Sequence, residues 1–178
     1  MIIEDNKIFT VGFGNRRVDQ LVGILREFGI RVLVDVRLGL TAESRDVLRQ
    51  ALEEEDIEYH WAGRHLGGNR VSRPGSINTA LDNELRGFAD YMTSQEFQIG
   101  LRQLIGIAGK RPAVMLFTTR LPDKCHRRLI ADALMMKGFS VTHILDEAHS
   151  KVHELSPALR RESTELVYDH AIPPKNFH

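Results

Sequence analysis

The chain has 178 residues, of which 42% are hydrophobic and 27% charged, and its 24 basic residues balance 24 acidic ones. This length suits one domain with its own core, and no stretch approaches the roughly 20 apolar residues of a membrane span. The zero net charge gives no support to strong nonspecific DNA binding, and a single cysteine, Cys125, rules out a disulfide framework. The first residues do not resemble a secretory signal, so we expect a cytoplasmic protein.

The first third of the chain alternates predicted strands and helices. Residues 7–11 form a β-like run, and apolar residues then recur at helical spacing over 18–28. Residues 30–36 are nearly all apolar and mostly β-branched, which predicts a strand covered on both faces. A helix containing residues 47–52 and a third strand over 57–61 follow.

The next segment, 62–81, is rich in glycine, asparagine and arginine and predicts a long surface loop. Thr93 and Glu96 have the spacing of a capping box before the helix that follows. The remaining predicted elements are a helix over 84–92, a helix over 97–108, a strand over 112–117, a loop over 118–124, a helix over 125–137 and a strand over 140–145.

Strands that alternate with helices predict an α/β fold, here a single Rossmann-like three-layer domain with a mostly parallel five-stranded sheet. We place this domain at 1–148 and treat 149–178 as a C-terminal extension, packed on the domain or flexible, with a weak helix and a possible strand at 165–168. If the strand order is 3-2-1-4-5, the loops 12–16 and 118–128 form the ligand crevice.

The first of these loops, GFGNRR, places two glycines and two arginines between a strand and a helix. Backbone N–H groups near Gly12 and Asn15, together with Arg16, suit a bound oxyanion. The alternative is a tight turn with solvated arginines. A third glycine and a P-loop lysine are both missing, so we expect neither a dinucleotide nor any other cofactor.

Asp35 and Arg37 end a strand that we expect to be buried, where a charged pair needs partners or a role. The Asp35 carboxylate has three interpretations. It acts as a general base, it orients an arginine, or it accepts backbone N–H groups from neighbouring loops.

The run Cys125-His126-Arg127-Arg128 lies in the first turn of a predicted helix, if Pro122 and Asp123 open that helix. The helix dipole and the adjacent cations would favour a thiolate and a bound anion there. The cysteine-x₅-arginine loop of phosphatases and rhodaneses is absent because the sixth residue after Cys125 is Ala131. A buried structural thiol is the alternative.

Two further groups carry weaker signals. His149 and His153 are spaced to share a helix face, but without a third ligand they do not predict a metal site. Residues 59–65 hold aromatic and basic side chains that would stack a base or sugar, unless Trp61 simply packs beneath the long loop.

The ordered motifs VGFGNR, VLVDVR, LGG at 66–68, CHRRLIADAL and VTHI resemble the domain-of-unknown-function family 488 over about 7–145. The resemblance implies an α/β fold with strand-end loops in the site, and it brings no settled reaction. The positions it carries over are Asn15, Arg16, Asp35, Arg37, Cys125, His126 and Arg127.

The chain departs from the family pattern at several positions, which marks it as a divergent member. Phe13 and Gly14 replace a histidine and a serine, and Phe117 and Thr119 stand where many relatives have a cysteine and a glutamate. A mechanism that needs two cysteines or a metal is therefore not expected.

Two function classes follow. The first is an enzyme acting on a phosphorylated or otherwise anionic substrate, with a nucleotide or nucleic acid as the favoured class; the second is a noncatalytic module that binds nucleic acid or a nucleotide with the same arginines and the loop 64–73. A rhodanese-like sulfur carrier is a third, opposed by the missing loop. The predicted catalytic residues are Asp35 and Cys125, and the predicted substrate-binding residues are Gly12, Asn15, Arg16, Arg37, His126 and Arg127.

Overall fold

The computed structural model describes residues 6–162 and 165–170. The strands are β1 (Lys7–Gly12), β2 (Val32–Asp35), β3 (Glu58–Trp61), β4 (Ala113–Phe117), β5 (Ser140–Ile144), β6 (Ser150–Val152), β7 (Leu159–Glu162) and β8 (Glu165–Tyr168). The α-helices are α1 (Val18–Glu27), α2 (Ala42–Glu53), α3 (Gly63–Leu66), α4 (Asn83–Tyr91), α5 (Gln95–Ala108) and α6 (Arg127–Met136).

The central sheet has the strand order β3-β2-β4-β1-β5-β6, and only β6 runs antiparallel to its neighbour. The predicted mostly parallel α/β architecture is confirmed. The predicted order 3-2-1-4-5 is wrong, because β4 inserts between β2 and β1 and pairs with both. The sheet has six strands rather than five, because β6 adds an edge strand whose three residues are all exposed and show no apolar pattern.

Helices cover both faces of the sheet because successive strand residues point in opposite directions. Leu33 of β2 belongs to the buried cluster that contains α1 and α2, whereas Val34 belongs to the cluster that contains α4, α5 and α6. Leu25 and Leu48 bring α1 and α2 to the first cluster, and Leu101 brings α5 to the second. Among the described residues, no helix combines the length and apolar content needed to cross a membrane.

Two predicted helix starts are wrong. Helix α5 begins after Ser94, whose hydroxyl accepts the Phe97 N–H at 3.2 Å, so Ser94 rather than Thr93 is the cap. Helix α6 begins at Arg127 and not at Cys125. Residues Pro122–Lys124 form a separate 3₁₀ helix, and the extended backbone of Cys125 separates it from α6.

The long loop 62–81 contains α3, which was not predicted from the sequence. The carboxylate of Asp90 fixes the rest of the loop by hydrogen bonds. Asp90, buried on α4, accepts hydrogen bonds from the Ser76 hydroxyl at 2.6 Å and the Asn78 amide at 2.8 Å. It also accepts the backbone N–H of Arg73 at 2.9 Å. This loop therefore has a defined path against the helices on its face of the sheet.

The described part of the C-terminal segment, 149–162 and 165–170, contains strands and no helix. The predicted strand over 165–168 is present as β8, which pairs with β7. His149 and His153 do not share a helix face, because the residues between them form β6. Tyr168 is fully buried, and its backbone N–H donates to the Asn78 side chain at 3.0 Å, which joins the hairpin to the long loop.

Candidate functional site

A cleft of about 170 Å³ opens at the carboxyl ends of β2 and β4. Parallel neighbours present these ends at one edge of the sheet, the usual place for a ligand in this architecture. Its lining consists of residues that follow the two strands, residues of the long loop and α4, and the start of α6: Val36, Arg37, Leu38, Gly68, Asn69, Glu84, Leu85, Phe88, Phe117, Thr118, Thr119, Cys125 and His126.

Arg37 enters this cleft in an orientation set by Asp35. The fully buried Asp35 carboxylate accepts Arg37 Nε at 2.9 Å, Nη2 at 2.8 Å and the backbone N–H at 3.1 Å. The Tyr59 hydroxyl donates to the same carboxylate at 2.8 Å, and burial together with Asp35 raises the pKa of Tyr59. Of the three interpretations of Asp35, this geometry supports orientation of an arginine.

His126 is a neutral side chain on the cleft wall. Burial lowers its pKa to about 4. Its Nε2 lies 3.1 Å from the Leu66 carbonyl oxygen, which only accepts, so the neutral ring carries its proton on Nε2 and a lone pair on Nδ1. Gly68 lies on the Nδ1 side of the ring, since a β-carbon added to Gly68 would be 3.0 Å from His126 Nδ1. The cleft wall thus includes an imidazole acceptor next to the partly exposed Cys125.

Arg127 lies behind the cleft and is fully buried. One terminal nitrogen donates to the Thr119 carbonyl oxygen, and the other lies 3.5 Å from the Thr10 hydroxyl. Burial lowers the pKa of Arg127, while its hydrogen bond and charge interaction with Cys125 raise it. Within the described ranges, Nε has no hydrogen-bond partner and no carboxylate forms a salt bridge with this guanidinium.

The first loop does not line the cleft. The N–H groups of Phe13 and Gly14 donate to the carbonyls of Phe117 and Thr118 at 2.7 and 2.8 Å. Neither of these two amides is free to contribute to the predicted backbone cradle. Asn15 is exposed and lies outside the cleft lining.

Arg16 is directed to the other side of β1. Its guanidinium donates to the carbonyl oxygens of Gly12, at 2.5 Å, and of Leu145 after β5. Of the three predicted substrate-binding arginines, Arg37 lines the cleft, Arg127 contacts its wall from behind, and Arg16 links β1 to the residue that follows β5.

The cleft also contains polar residues that are not among the predicted site residues. Thr118 and Thr119 directly follow buried β4, and polar residues at a strand end were a signal that would have found them. Glu84, in the first turn of α4, and Asn69, in the long loop, had no such signal, because their placement depends on how α4 crosses the sheet edge.

The weaker groups lie elsewhere. Trp61 is 42% exposed, with the Arg45 guanidinium 4.5 Å from its ring centroid. His149 contacts Asp146, and His153 contacts Asp132, each at 2.8 Å. In the part of the chain that the structure describes, no three His, Cys, Asp or Glu side chains cluster as metal ligands do.

The family model of a domain of unknown function, DUF488, matches residues 17–134. The chain belongs to this family. The resemblance expected over 7–145 is thus confirmed for the DUF488 region that holds Arg37, Cys125, His126 and Arg127, while the GFGNR loop and β5 lie outside the match. No curated protein and no solved structure is significantly similar to the chain.

Proposed function

We propose that this DUF488 protein is an enzyme that acts on a small substrate bearing an oxyanion, with Cys125 as the nucleophile. The observation that carries the proposal is the shared cleft of Arg37, Cys125 and His126, with the buried Arg127 directly behind its wall. A guanidinium, a thiol and a neutral imidazole in one small cleft form a set suited to attack on an anionic group.

Arg37 is the proposed anion-binding residue. Its Nε and Nη2 are bound by Asp35, which holds the guanidinium in one orientation and leaves Nη1 outside that pair. A guanidinium that is already fixed loses less conformational entropy when it binds phosphate or carboxylate oxygens than a mobile one does. We therefore assign Asp35 a positioning role rather than an acid–base role.

The size of the cleft favours a small group. Its volume of about 170 Å³ lies below the roughly 300–1,000 Å³ of pockets that enclose whole ligands. A phosphate, sulfate or carboxylate group fits such a space, whereas a complete nucleotide does not. The substrate is then either a small anion or the anionic end of a larger molecule.

Cys125 and His126 supply the proposed reactive groups. The buried Arg127 interacts with the Cys125 side chain and places a positive charge beside the proposed nucleophile. His126 is neutral near pH 7, since its pKa is about 4, and its Nδ1 is available to accept a hydrogen bond from the substrate. Cys125 lies before α6 rather than in its first turn, so the cation and not the helix dipole is the stronger reason for reactivity.

The contacts of the long loop favour this proposal over a nucleic-acid-binding module. Arg70 donates to the carbonyls of Gly67 and Arg64 and stacks 3.8 Å from the Tyr91 ring centroid. Arg73 donates to the backbone oxygen of Asp90 at 3.4 Å. Both side chains stabilise the loop itself.

The proposal is tested by alkylation of the single cysteine, which makes intact mass a direct report on Cys125. We expect inorganic phosphate to slow iodoacetamide labelling with a saturable dependence on concentration. Glu84→Gln removes an exposed negative charge from the cleft, so we expect phosphate to bind roughly threefold more tightly.

Glu96→Gln is the matched control, because Glu96 also lies in the first turn of a helix but outside the cleft lining. It should leave protection by phosphate unchanged. If phosphate does not protect Cys125, or if both variants respond equally, the cleft is not an oxyanion site.

A further inference from the structure

A buried chain of hydrogen bonds leads away from Arg127 through the core. The Thr10 hydroxyl, 3.5 Å from Arg127 Nη1, lies 2.6 Å from His143 Nδ1. His143 Nε2 lies 2.9 Å from His153 Nδ1, and His153 Nε2 lies 2.8 Å from Asp132. Arg127 and Asp132, at the two ends, are both fully buried.

Asp132 together with a singly protonated His153 ring sets the direction of every hydrogen bond in this series. Its carboxylate also accepts the Tyr168 hydroxyl at 2.9 Å and the Ser156 N–H at 3.2 Å, so it takes a proton from His153 Nε2 rather than supplying one. If the His153 ring carries only this proton, it accepts on Nδ1, which makes His143 donate from Nε2 and accept on Nδ1; a second proton on His153 would reverse both bonds.

The Thr10 hydroxyl is consequently fixed as a donor to His143. Its lone pairs are left for Arg127, so the threonine presents an acceptor and not a proton to the guanidinium. Burial, His153, Arg127 and Lys151 lower the pKa of His143 to about 3, and this histidine therefore stays neutral at ordinary pH.

This series of hydrogen bonds also connects two buried charges of opposite sign, Arg127 and Asp132. Among the described residues Arg127 forms no salt bridge, and the Asp123 charge, which raises its pKa, compensates a buried guanidinium only in part. Asp132 carries the opposite charge at the far end of the same hydrogen-bonded path. When His153 carries one proton, the hydrogen bonds run in one direction, from Thr10 to Asp132.

We propose that His143, His153 and Asp132 act as a positioning relay that fixes Thr10 as an acceptor and thereby sets the Arg127 guanidinium behind Cys125. The relay extends the candidate site to the C-terminal segment, since His153 follows β6 and Tyr168 ends β8. The positioning of Arg127 by the relay does not depend on the proposed function. Only the effect of Arg127 on the reactivity of Cys125 rests on it.

Two pairs of variants separate this relay from ordinary core packing. Thr10→Val keeps the shape and removes the acceptor, whereas Thr10→Ser keeps the hydroxyl. His143→Asn places an oxygen near the former Nδ1 and keeps an acceptor for Thr10, whereas His143→Gln places its polar atoms near Nε2 and loses it. Packing alone predicts no such dependence on which ring nitrogen is replaced.

The experiment is ¹⁵N NMR of the full chain, read at the histidine rings and at the Arg127 Nε–H. We expect the Nε2–H tautomer for both His143 and His153 in the wild-type protein. Thr10→Val and His143→Gln should shift the Arg127 signal and speed its hydrogen exchange about threefold or more, while Thr10→Ser and His143→Asn stay close to wild type.

An Nδ1–H tautomer on either ring, or an Arg127 signal that responds equally to both members of each pair, overturns the relay. Iodoacetamide labelling of Cys125 in the same variants tests the proposed function separately. If the Arg127 signal shifts as expected while labelling and phosphate protection are unchanged, the relay stands and the role of Arg127 in the site is wrong.

Discussion

Replacing Asp35 by alanine is expected to lower the free energy of unfolding by about 3–5 kcal/mol. The side chain of Arg37 is only 8% exposed, and loss of Asp35 leaves its charge buried without a partner. The Tyr59 hydroxyl loses its acceptor in the same step. Urea unfolding measures this change as a lower midpoint with an unchanged slope.

The matched control is Asp46→Ala, which removes the carboxylate of an exposed pair with Arg49. Water solvates both members of that pair, so we expect a change within about 1 kcal/mol. Equal losses for the two variants would contradict the assignment of Asp35 as the buried partner that orients Arg37.

Replacing Gly12 by alanine is expected to destabilise the protein by about 2–3 kcal/mol, because the added methyl group has no space. A β-carbon at Gly12 would lie 2.5 Å from the Arg120 α-carbon and closer still to the Thr119 carbonyl oxygen. That carbonyl accepts Arg127, so the loop displacement should also change the environment of Cys125. Urea unfolding and iodoacetamide labelling measure the two effects.

Gly23→Ala is the control for Gly12→Ala, since a β-carbon at Gly23 in α1 meets nothing within 4 Å. We expect a gain of about 0.5–1 kcal/mol from the lower entropy of the unfolded chain. A Gly12 variant as stable as wild type would show that the two loops are not in close contact.

Most strands and helices were predictable because each carries its own apolar pattern, such as the buried run of β2. The strand order was not, because periodicity describes one element at a time and does not show that β4 pairs with both β1 and β2. The edge strand β6 was missed for a different reason. Its three exposed residues pair through the backbone and have no apolar face.

The candidate site was predictable where residues directly follow strands or begin a helix. Arg37, Cys125 and His126 were selected on that basis and line the cleft. Arg127 was expected to face a ligand, but its full burial depends on how α6 packs against β1 and β4. Local sequence carries no information on that packing.

The relay was missed although two of its members carry a signal. Thr10 interrupts the apolar run of β1, and His143 is an ionisable residue within β5; polar residues in buried strands need a partner. His153 was considered only together with His149, as a pair at helical spacing. Its hydrogen bond with His143 of β5 was therefore not predicted. Asp132 lies on α6, and its link to the histidines exists only in the folded chain.

Titration of the ¹⁵N-labelled protein with inorganic phosphate tests the oxyanion cleft most directly. We expect the backbone signals of Thr118, Thr119 and His126 to shift together along one saturable curve, with the Arg37 side chain responding in parallel. Shifts that do not saturate, or that centre on the exposed Lys110 and Arg111 beyond the cleft, would contradict it.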